Sequence, residues 1–400
     1  MSDARTNTPK IRFRGFTEDW EQRKLNEVSD IYDGTHQTPK YQDEGVMFLS
    51  VENIKTLISN KFISHEAFKS EFRIRPQRGD VLITRIGDVG TANVVETDEN
   101  LAYYVSLALL KSEKLQPYFL QASIHAPFVH KQIWKRTLHI AFPKKINKNE
   151  IGQVPINIPT TDEQDKIGTF FKQLDDTIAL HQCELDLLKQ TKQTYLQKMF
   201  PKSGENKPEI RFAGFTEDWE QRKLNEVSDI YDGTHQTPKY QDEGVMFLSV
   251  ENIKTLISNK FISHEAFKSE FRIRPQRGDV LITRIGDVGT ANVVETDENL
   301  AYYVSLALLK SEKLQPYFLQ ASIHAPFVHK QIWKRTLHIA FPKKINKNEI
   351  GQVPINIPTT DEQDKIGTFF KQLDDTIALH QRKLDSLKEM KKSLLQQMFV

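Results

Sequence analysis

The sequence predicts an α+β protein made of two copies of one domain, each running on into a long amphipathic helix. Three observations carry this. Residues 15–182 recur, position for position, as residues 214–381. Each copy opens with short β-branched and aromatic runs broken by glycine turns. Each copy closes on apolar residues spaced alternately three and four apart. A self-match of this length is too long for a solenoid repeat and has the size of a whole domain plus an added element. The expected layout is a first domain over 1–160, a spacer helix over 161–200 and a linker over 201–210. A second domain follows over 211–359 and a second helix over 360–400.

Within the first copy, Val46-Met47-Phe48-Leu49-Ser50-Val51, Asp80-Val81-Leu82-Ile83-Thr84-Arg85 and Tyr104-Val105-Ser106-Leu107-Ala108-Leu109-Leu110 read as strands. Gly34-Thr35, Gly79-Asp80 and Gly87-Asp88 punctuate them. Residues 115–137 read as helix with a break at Pro127. After Pro159, Thr160 with Glu163 fits a capping box, the hydroxyl serving an early N–H and the carboxylate reaching back. Then Phe171, Leu174, Ile178, His181, Leu185, Leu188, Lys192, Tyr195 and Met199 form a seam over about four heptads. Pro201 and the polar run after it stop the helix. The second seam is Phe370, Leu373, Ile377, His380, Leu384, Leu387, Lys391, Leu394 and Met398. Each helix is then about 38 residues and roughly 57 Å long at 1.5 Å per residue.

A lone amphipathic helix of that length cannot hide its apolar stripe. It can pack on its own domain, but the expected solution is that the two helices pack on each other. His181, Lys192, His380 and Lys391 would then limit register at some cost in stability. A two-fold axis relating the copies would make the helices antiparallel, with the globular parts at opposite ends.

Composition narrows the function classes. A chain of 400 residues with 38% hydrophobic content and 24 Phe can bury a core in each copy. A net charge of +2 supplies no global field, so any basic surface is local. The single Cys183 becomes Arg382 in the other copy, which fits a reducing compartment and argues against a nucleophile. There is no run of 18 apolar residues, and the N-terminal MSDARTNTPK has no apolar core, so a cytoplasmic, membrane-free location is expected. GxxxxGK[ST] is absent. Ile86-Gly87-Asp88-Val89-Gly90 falls short of a full dinucleotide loop and reads better as a strand-ending turn. His65-Glu66 starts like a zinc-protease motif, but Lys69 stands where the second His should be.

The basic residues are more informative. Lys131, Lys135, Arg136, Lys144, Lys145 and Lys148, with His130 and His139 nearby, occupy a window with no acidic residue and with Trp134 and Phe142 interleaved. Such a surface suits phosphates, although an ordinary solvated face is the plainer alternative. The octapeptide GTHQTPKY at 34–41 recurs at 233–240 and offers hydroxyls, an imidazole, an amide and an ammonium on one turn. These groups can read base edges or position phosphates, or can form a plain polar turn. Arg85 ends a strand and can serve DNA or a structural ion pair equally well. Thr35, His36, Gln37, Thr38, Lys40 and Arg85 are therefore candidates for base-edge or nearby phosphate contact. Lys131, Lys135, Arg136, His139, Lys144 and Lys145 are candidates for backbone positioning. Their counterparts are Thr234, His235, Gln236, Thr237, Lys239, Arg284, Lys330, Lys334, Arg335, His338, Lys343 and Lys344. Two identical readers about a two-fold axis would match an inverted repeat in duplex DNA.

Several stretches in order carry a resemblance. Phe16-Thr17-Glu18-Asp19-Trp20-Glu21-Gln22-Arg23-Lys24-Leu25 leads in. Asp30-Ile31-Tyr32-Asp33-Gly34-Thr35 through Thr38-Pro39, then Arg78-Gly79-Asp80-Val81-Leu82-Ile83-Thr84-Arg85-Ile86-Gly87, form the body. Val154-Pro155-Ile156-Asn157-Ile158-Pro159, followed by Glu163-Gln164-Asp165-Lys166-Ile167-Gly168 and Leu174-Asp175, enters the helix. Together, and twice over, these resemble the DNA-specificity (S) subunit of type I restriction-modification systems. The resemblance implies two α/β target recognition domains separated by two long antiparallel helices in a coiled coil. It implies a non-catalytic subunit that binds double-stranded DNA, with two methylation subunits and two restriction/motor subunits as partners. S-adenosylmethionine, ATP and Mg would act on those partners, with no cofactor in this chain. The chain lacks an adenine-methylase Asn/Asp-Pro-Pro-aromatic motif, which fits that division of labour. In the family the two recognition domains usually differ; here they are identical, which implies an interrupted palindrome as target. The rival readings are a non-catalytic protein-interaction scaffold and a self-sufficient fused restriction-methylase, the latter needing motifs this chain lacks.

Overall fold

The computed structural model describes residues 8–37, 39–236 and 238–400. The first copy runs β1 (Glu21–Lys24), α1 (Leu25–Val28), β2 (Asp30–Asp33), β3 (Val46–Leu49), β4 (Phe62–Ile63) and α2 (His65–Glu71). It continues with β5 (Val81–Thr84), β6 (Ala92–Val94), β7 (Leu101–Tyr103), β8 (Leu107–Lys111), α3 (Pro117–His125) and α4 (Pro127–Arg136). It closes with α5 (Lys148–Gly152), β9 (Pro155–Ile158) and the long helix α6 (Thr161–Lys198). The second copy repeats these as β10 (Glu220–Lys223) to β18 (Pro354–Ile357) and α7 (Leu224–Val227) to α11 (Lys347–Gly351), then ends in α12 (Thr360–Gln397).

Each domain is organised by one four-stranded antiparallel sheet, ordered β2-β8-β5-β6 in the first copy. Its central strands are apolar on both faces, as their near-continuous hydrophobic runs require. Val81, Ile83, Ala108 and Leu110 face a core shared with Phe119, Ile133 and Phe171. Leu82, Leu107 and Leu109 face a second core with Phe48, Phe68 and Tyr103. The second core lies under a three-stranded sheet, β4-β3-β7, in which β3 and β7 are parallel. A two-stranded ribbon of β1 and β9 stands where the domain meets α6.

Two expectations are corrected. The strand expected from Tyr104 begins only at Leu107, because residues 104–106 turn: the Leu107 N–H donates to Tyr104 O (2.9 Å) and Ser106 Oγ accepts from Val51 N–H (3.1 Å). The capping box at Thr160 does not form as expected, because the Glu163 carboxylate is taken by Arg12 through Nε (2.7 Å) and Nη2 (2.8 Å). The break at Pro127 is real. Pro127 is the first residue of α4, where a missing N–H costs nothing.

The chain divides into two compact units that do not follow chain order. One is Met1–Gln182 with Arg382–Val400, the other Cys183–Gln381. Each unit contains a stretch of both long helices, packed on each other as expected. In the first, Lys391 Nζ meets Asp175 and Lys388 Nζ donates to Gln182 Oε1 (3.4 Å), so one helix descends as the other rises. In the second, Lys192 Nζ meets Asp374 (2.5 Å) and Tyr195 packs edge-on against Phe369 (5.1 Å), again antiparallel. The seam lysines are thus ion-paired across the helices. The helix ends also serve the domains. Leu395 and Met398 complete the first domain's core, and Leu196, Met199 and Phe200 complete the second's. Among the described residues, no helix is long and apolar enough to cross a membrane.

Candidate nucleic-acid interface

The octapeptide leaves β2 at a point that admits only glycine. Gly34 is buried against backbone, and a Cβ there would lie 2.4 Å from Tyr103 O and 2.5 Å from Tyr104 O. Thr35 then bonds into the neighbouring segment: its N–H donates to Tyr103 O (3.1 Å) and its carbonyl accepts from Val105 N–H (2.9 Å). Its hydroxyl donates to Glu71 Oε2 (3.2 Å) and accepts from Gln37 N–H (3.3 Å). Thr35 is therefore a fastening residue. His36, Gln37 and Lys40 beyond it are exposed. Thr38 and its counterpart Thr237 lie outside the described residues. Beneath the turn, Tyr103 OH donates to Asp33 O (3.3 Å). Burial, aided by Asp33 and Asp80, pushes its phenol well above the ordinary value, so it remains a donor. In the second copy Thr234 donates to Glu270 (3.2 Å), and His235, Gln236 and Lys239 are exposed.

The cationic window occupies the solvent side of α4 and the loop after it. The buried Val129 and Ile133 fix which face of α4 looks outward, and Lys131 and Lys135 lie on that face. Arg136 folds back, with Nη1 donating to Gln132 O and Oε1 (both 3.0 Å). His139 Nε2 lies 2.9 Å from Trp134 O, and its ring sits 4.3 Å from the indole. Lys144 Nζ stands 4.6 Å over the same indole. Among the described residues, Lys131, Lys135 and Lys145 form no ion pair. Lys330, Lys334 and Lys344 repeat them, Arg335 folds onto Gln331 (3.0 and 2.9 Å), His338 bonds Trp333 O (2.9 Å) and Lys343 caps Trp333 (4.6 Å).

Arg85, a candidate for DNA contact or for a structural ion pair, makes the ion pair. It is 8% exposed. Its Nη1 meets Asp33 Oδ1 and its Nε donates to Ile146 O (3.2 Å). Its backbone carbonyl accepts from Ile146 N–H (2.9 Å), and Gly87 N–H donates to Lys144 O (2.8 Å). Arg284 makes the same bonds to Asp232 and Ile345 O (3.2 Å). Asp33 begins the octapeptide turn and Ile146 ends the basic loop. The residue at the end of β5 therefore draws the two candidate surfaces to one place.

One feature of this surface escaped the sequence reading. Ile140 and Phe142, inside the basic window, are 101% and 104% exposed, and Ile339 and Phe341 match them at 100% and 104%. The signal was present as Leu138, Ile140, Ala141 and Phe142 between cations, but composition alone cannot tell an exposed apolar loop from a buried one.

Comparison with known proteins places this arrangement. Residues 17–190 and 216–389 each match the model described as the type I restriction modification DNA specificity domain. The type I restriction enzyme MjaVIII specificity subunit of Methanocaldococcus jannaschii is 22% identical over 406 residues, covering 94% of this chain and 91% of that one. The crystal structure of a type I restriction-modification S subunit from M. genitalium shares the fold with TM-score 0.70 at 13% identity, covering 98% and 99% of the two chains. A chain from a structural study of complex assembly in the type I R-M system aligns with TM-score 0.50 at 18% identity, covering 94% and 96%.

Proposed function

Because the chain belongs to the type I restriction-modification DNA specificity family, we propose that each of its domains reads one half of a bipartite DNA target and that the chain recruits methylation and restriction subunits to it. The observation that carries this reading is the convergence at Arg85 of an exposed polar turn and an unpaired cationic face, repeated without change at Arg284. The turn offers Gln37 and His36, which have the donors and acceptors to distinguish base edges in a major groove. The face offers Lys131, Lys135 and Lys145, which neutralise phosphates and set register without reading sequence. S-adenosylmethionine, ATP and Mg belong to the partner subunits in this reading, two methylating and two motor. Chemistry on adenine is theirs, and this chain chooses where it happens.

Identical domains ask for identical half-sites. Each unit is also built alike from opposite helices, one from the first part of α6 with the end of α12, the other from the end of α6 with the first part of α12. The target is therefore an interrupted palindrome. Single-molecule sequencing of cells expressing this chain with a methylation partner would reveal methylated adenines in one such motif. An asymmetric motif would overturn the palindrome, and no motif at all would overturn the specificity reading.

The two residue classes separate in a salt titration. Lys145→Ala with Lys344→Ala is expected to weaken binding to target and scrambled duplexes alike, lowering the salt slope by about one per lost contact. Gln37→Ala with Gln236→Ala is expected to cost roughly 1–3 kcal/mol per half-site on the target and little on scrambled DNA. Equal losses on both duplexes from the glutamine variant would remove Gln37 from base reading.

A further inference from the structure

We propose that Ile140 and Phe142, with Ile339 and Phe341 in the second domain, are apolar wedges that enter the base stack of duplex DNA and open one base step at each half-site. This rests on the DNA-binding reading above and extends it to the shape of the bound DNA.

The two side chains are as exposed as residues of an unfolded peptide, at 101% and 104%, and the second domain repeats the values at 100% and 104%. Single exposed apolar residues need no explanation, but two together, duplicated and projecting, ask what covers them. They project from a firm base. Leu138 N–H donates to Lys145 O (2.8 Å), Gly87 N–H to Lys144 O (2.8 Å) and Ile146 N–H to Arg85 O (2.9 Å), so both strands of the loop are held to the domain just below the tip. A tip held this way can transmit force to what it enters.

The surroundings select the occupant. Lys144 and Lys145 follow the tip directly, with His139 beside it and Lys131 and Lys135 on the adjoining helix. No acidic residue lies between 131 and 148. A protein partner covering Ile140 and Phe142 would have to desolvate this cationic collar or supply matching carboxylates. Duplex DNA answers both needs at once, with phosphates for the collar and an apolar stack of bases for the tip. Proteins that kink DNA insert Phe, Leu, Ile or Met between base steps in this way, with flanking cations on the backbone. Apolar burial at the tip offsets the lost stacking, and the step entered should be a flexible pyrimidine–purine step. The wedge would then confer preference at a position where no side chain hydrogen-bonds a base.

The test uses the full chain assembled with its methylation subunits and a duplex carrying the motif found by adenine sequencing. 2-Aminopurine replaces adenines one at a time in and beside each half-site. The modified adenine itself is left unsubstituted, because methyltransferases extrude that base. The expected result is a several-fold fluorescence rise at one step per half-site on binding. Replacing Ile140, Phe142, Ile339 and Phe341 together by Ala should abolish the rise and weaken target binding roughly tenfold at an unchanged salt slope. Phe142→Leu with Phe341→Leu should keep most of both. These side chains lie outside the domain cores, so circular dichroism should not change. If the wild-type complex binds target DNA with no rise at any step, or the alanine variant keeps the full rise, the wedge is wrong and the specificity reading stands. If the alanine variant no longer assembles with methylation subunits, the tip is a protein contact and the wedge is again wrong. If the wild-type complex binds no duplex, the DNA reading fails and takes the wedge with it.

Discussion

Alanine at Arg85 and Arg284 is expected to abolish sequence-specific DNA binding, because each guanidinium ties two exposed segments together from a mostly buried position. The side chain of Arg85 is 10% exposed and that of its partner Asp33 is 28% exposed. Removing one member of a fully buried pair destabilises by about 3–5 kcal/mol, because the remaining charge is left uncompensated. Partial access of water to Asp33 reduces this to about 2–3 kcal/mol per domain. The local consequence is larger than the global one. Arg85 holds Asp33 at the root of the octapeptide turn and Ile146 at the root of the basic loop. Without it, the reading turn and the positioning loop are no longer fixed with respect to each other, and a misplaced bidentate contact is a lost one. Asp33→Ala separates this from direct contact. If Arg85 pins the fold, Asp33→Ala reproduces the Arg85→Ala defect, and the double variant is hardly worse than either single one. If Arg85 instead meets a phosphate, freeing it from Asp33 should preserve or improve binding, and Arg85→Ala alone should lower the salt slope by about one.

The same residue shows how far the sequence could be read. Its position at the end of an apolar run made it visible as a candidate, but its ion-pair partner Asp33 is 52 positions away in the chain and adjacent only after β2, β8 and β5 have paired. The long helices were legible throughout, because a three-four spacing sustained from Phe171 to Met199 is a helical signature and the burial of Phe171, Leu174, His181 and Leu185 follows the seam. Their crossed service to the domains was not legible. Nothing local in Leu395 or Met398 says that they finish a core begun at Trp20. The capping box was misread for a related reason. Local pattern proposed Thr160 as the partner of Glu163, and a distant arginine, presenting two donors to two oxygens, outcompeted it.

That arginine carries the second large effect. Arg12 and Glu163 form a bidentate pair with side-chain exposures of 13% and 0%, and Arg211 repeats it with Glu362 at 2.6 and 2.8 Å. The hydrogen bond to Glu163 raises the Arg12 guanidinium above its ordinary value, so it keeps its charge. Glu163 sits in the first turn of α6, where a carboxylate also favours the helix dipole. Arg12→Ala leaves that carboxylate buried with no counter-charge, and the expected loss is about 3 kcal/mol for the first domain, read as an earlier urea transition of the full chain. Arg211→Ala should do the same for the second domain. Arg12→Met with Glu163→Leu should recover most of the loss, because a buried pair is dispensable once both charges are gone. The methylated motif should be unaltered by that double replacement, since the pair joins the domain to its helix. A single Arg12→Ala that unfolds like the wild type would mean that the carboxylate finds another partner. A double variant as unstable as the single one would mean that the fork geometry itself, rather than charge compensation, orients the domain on α6.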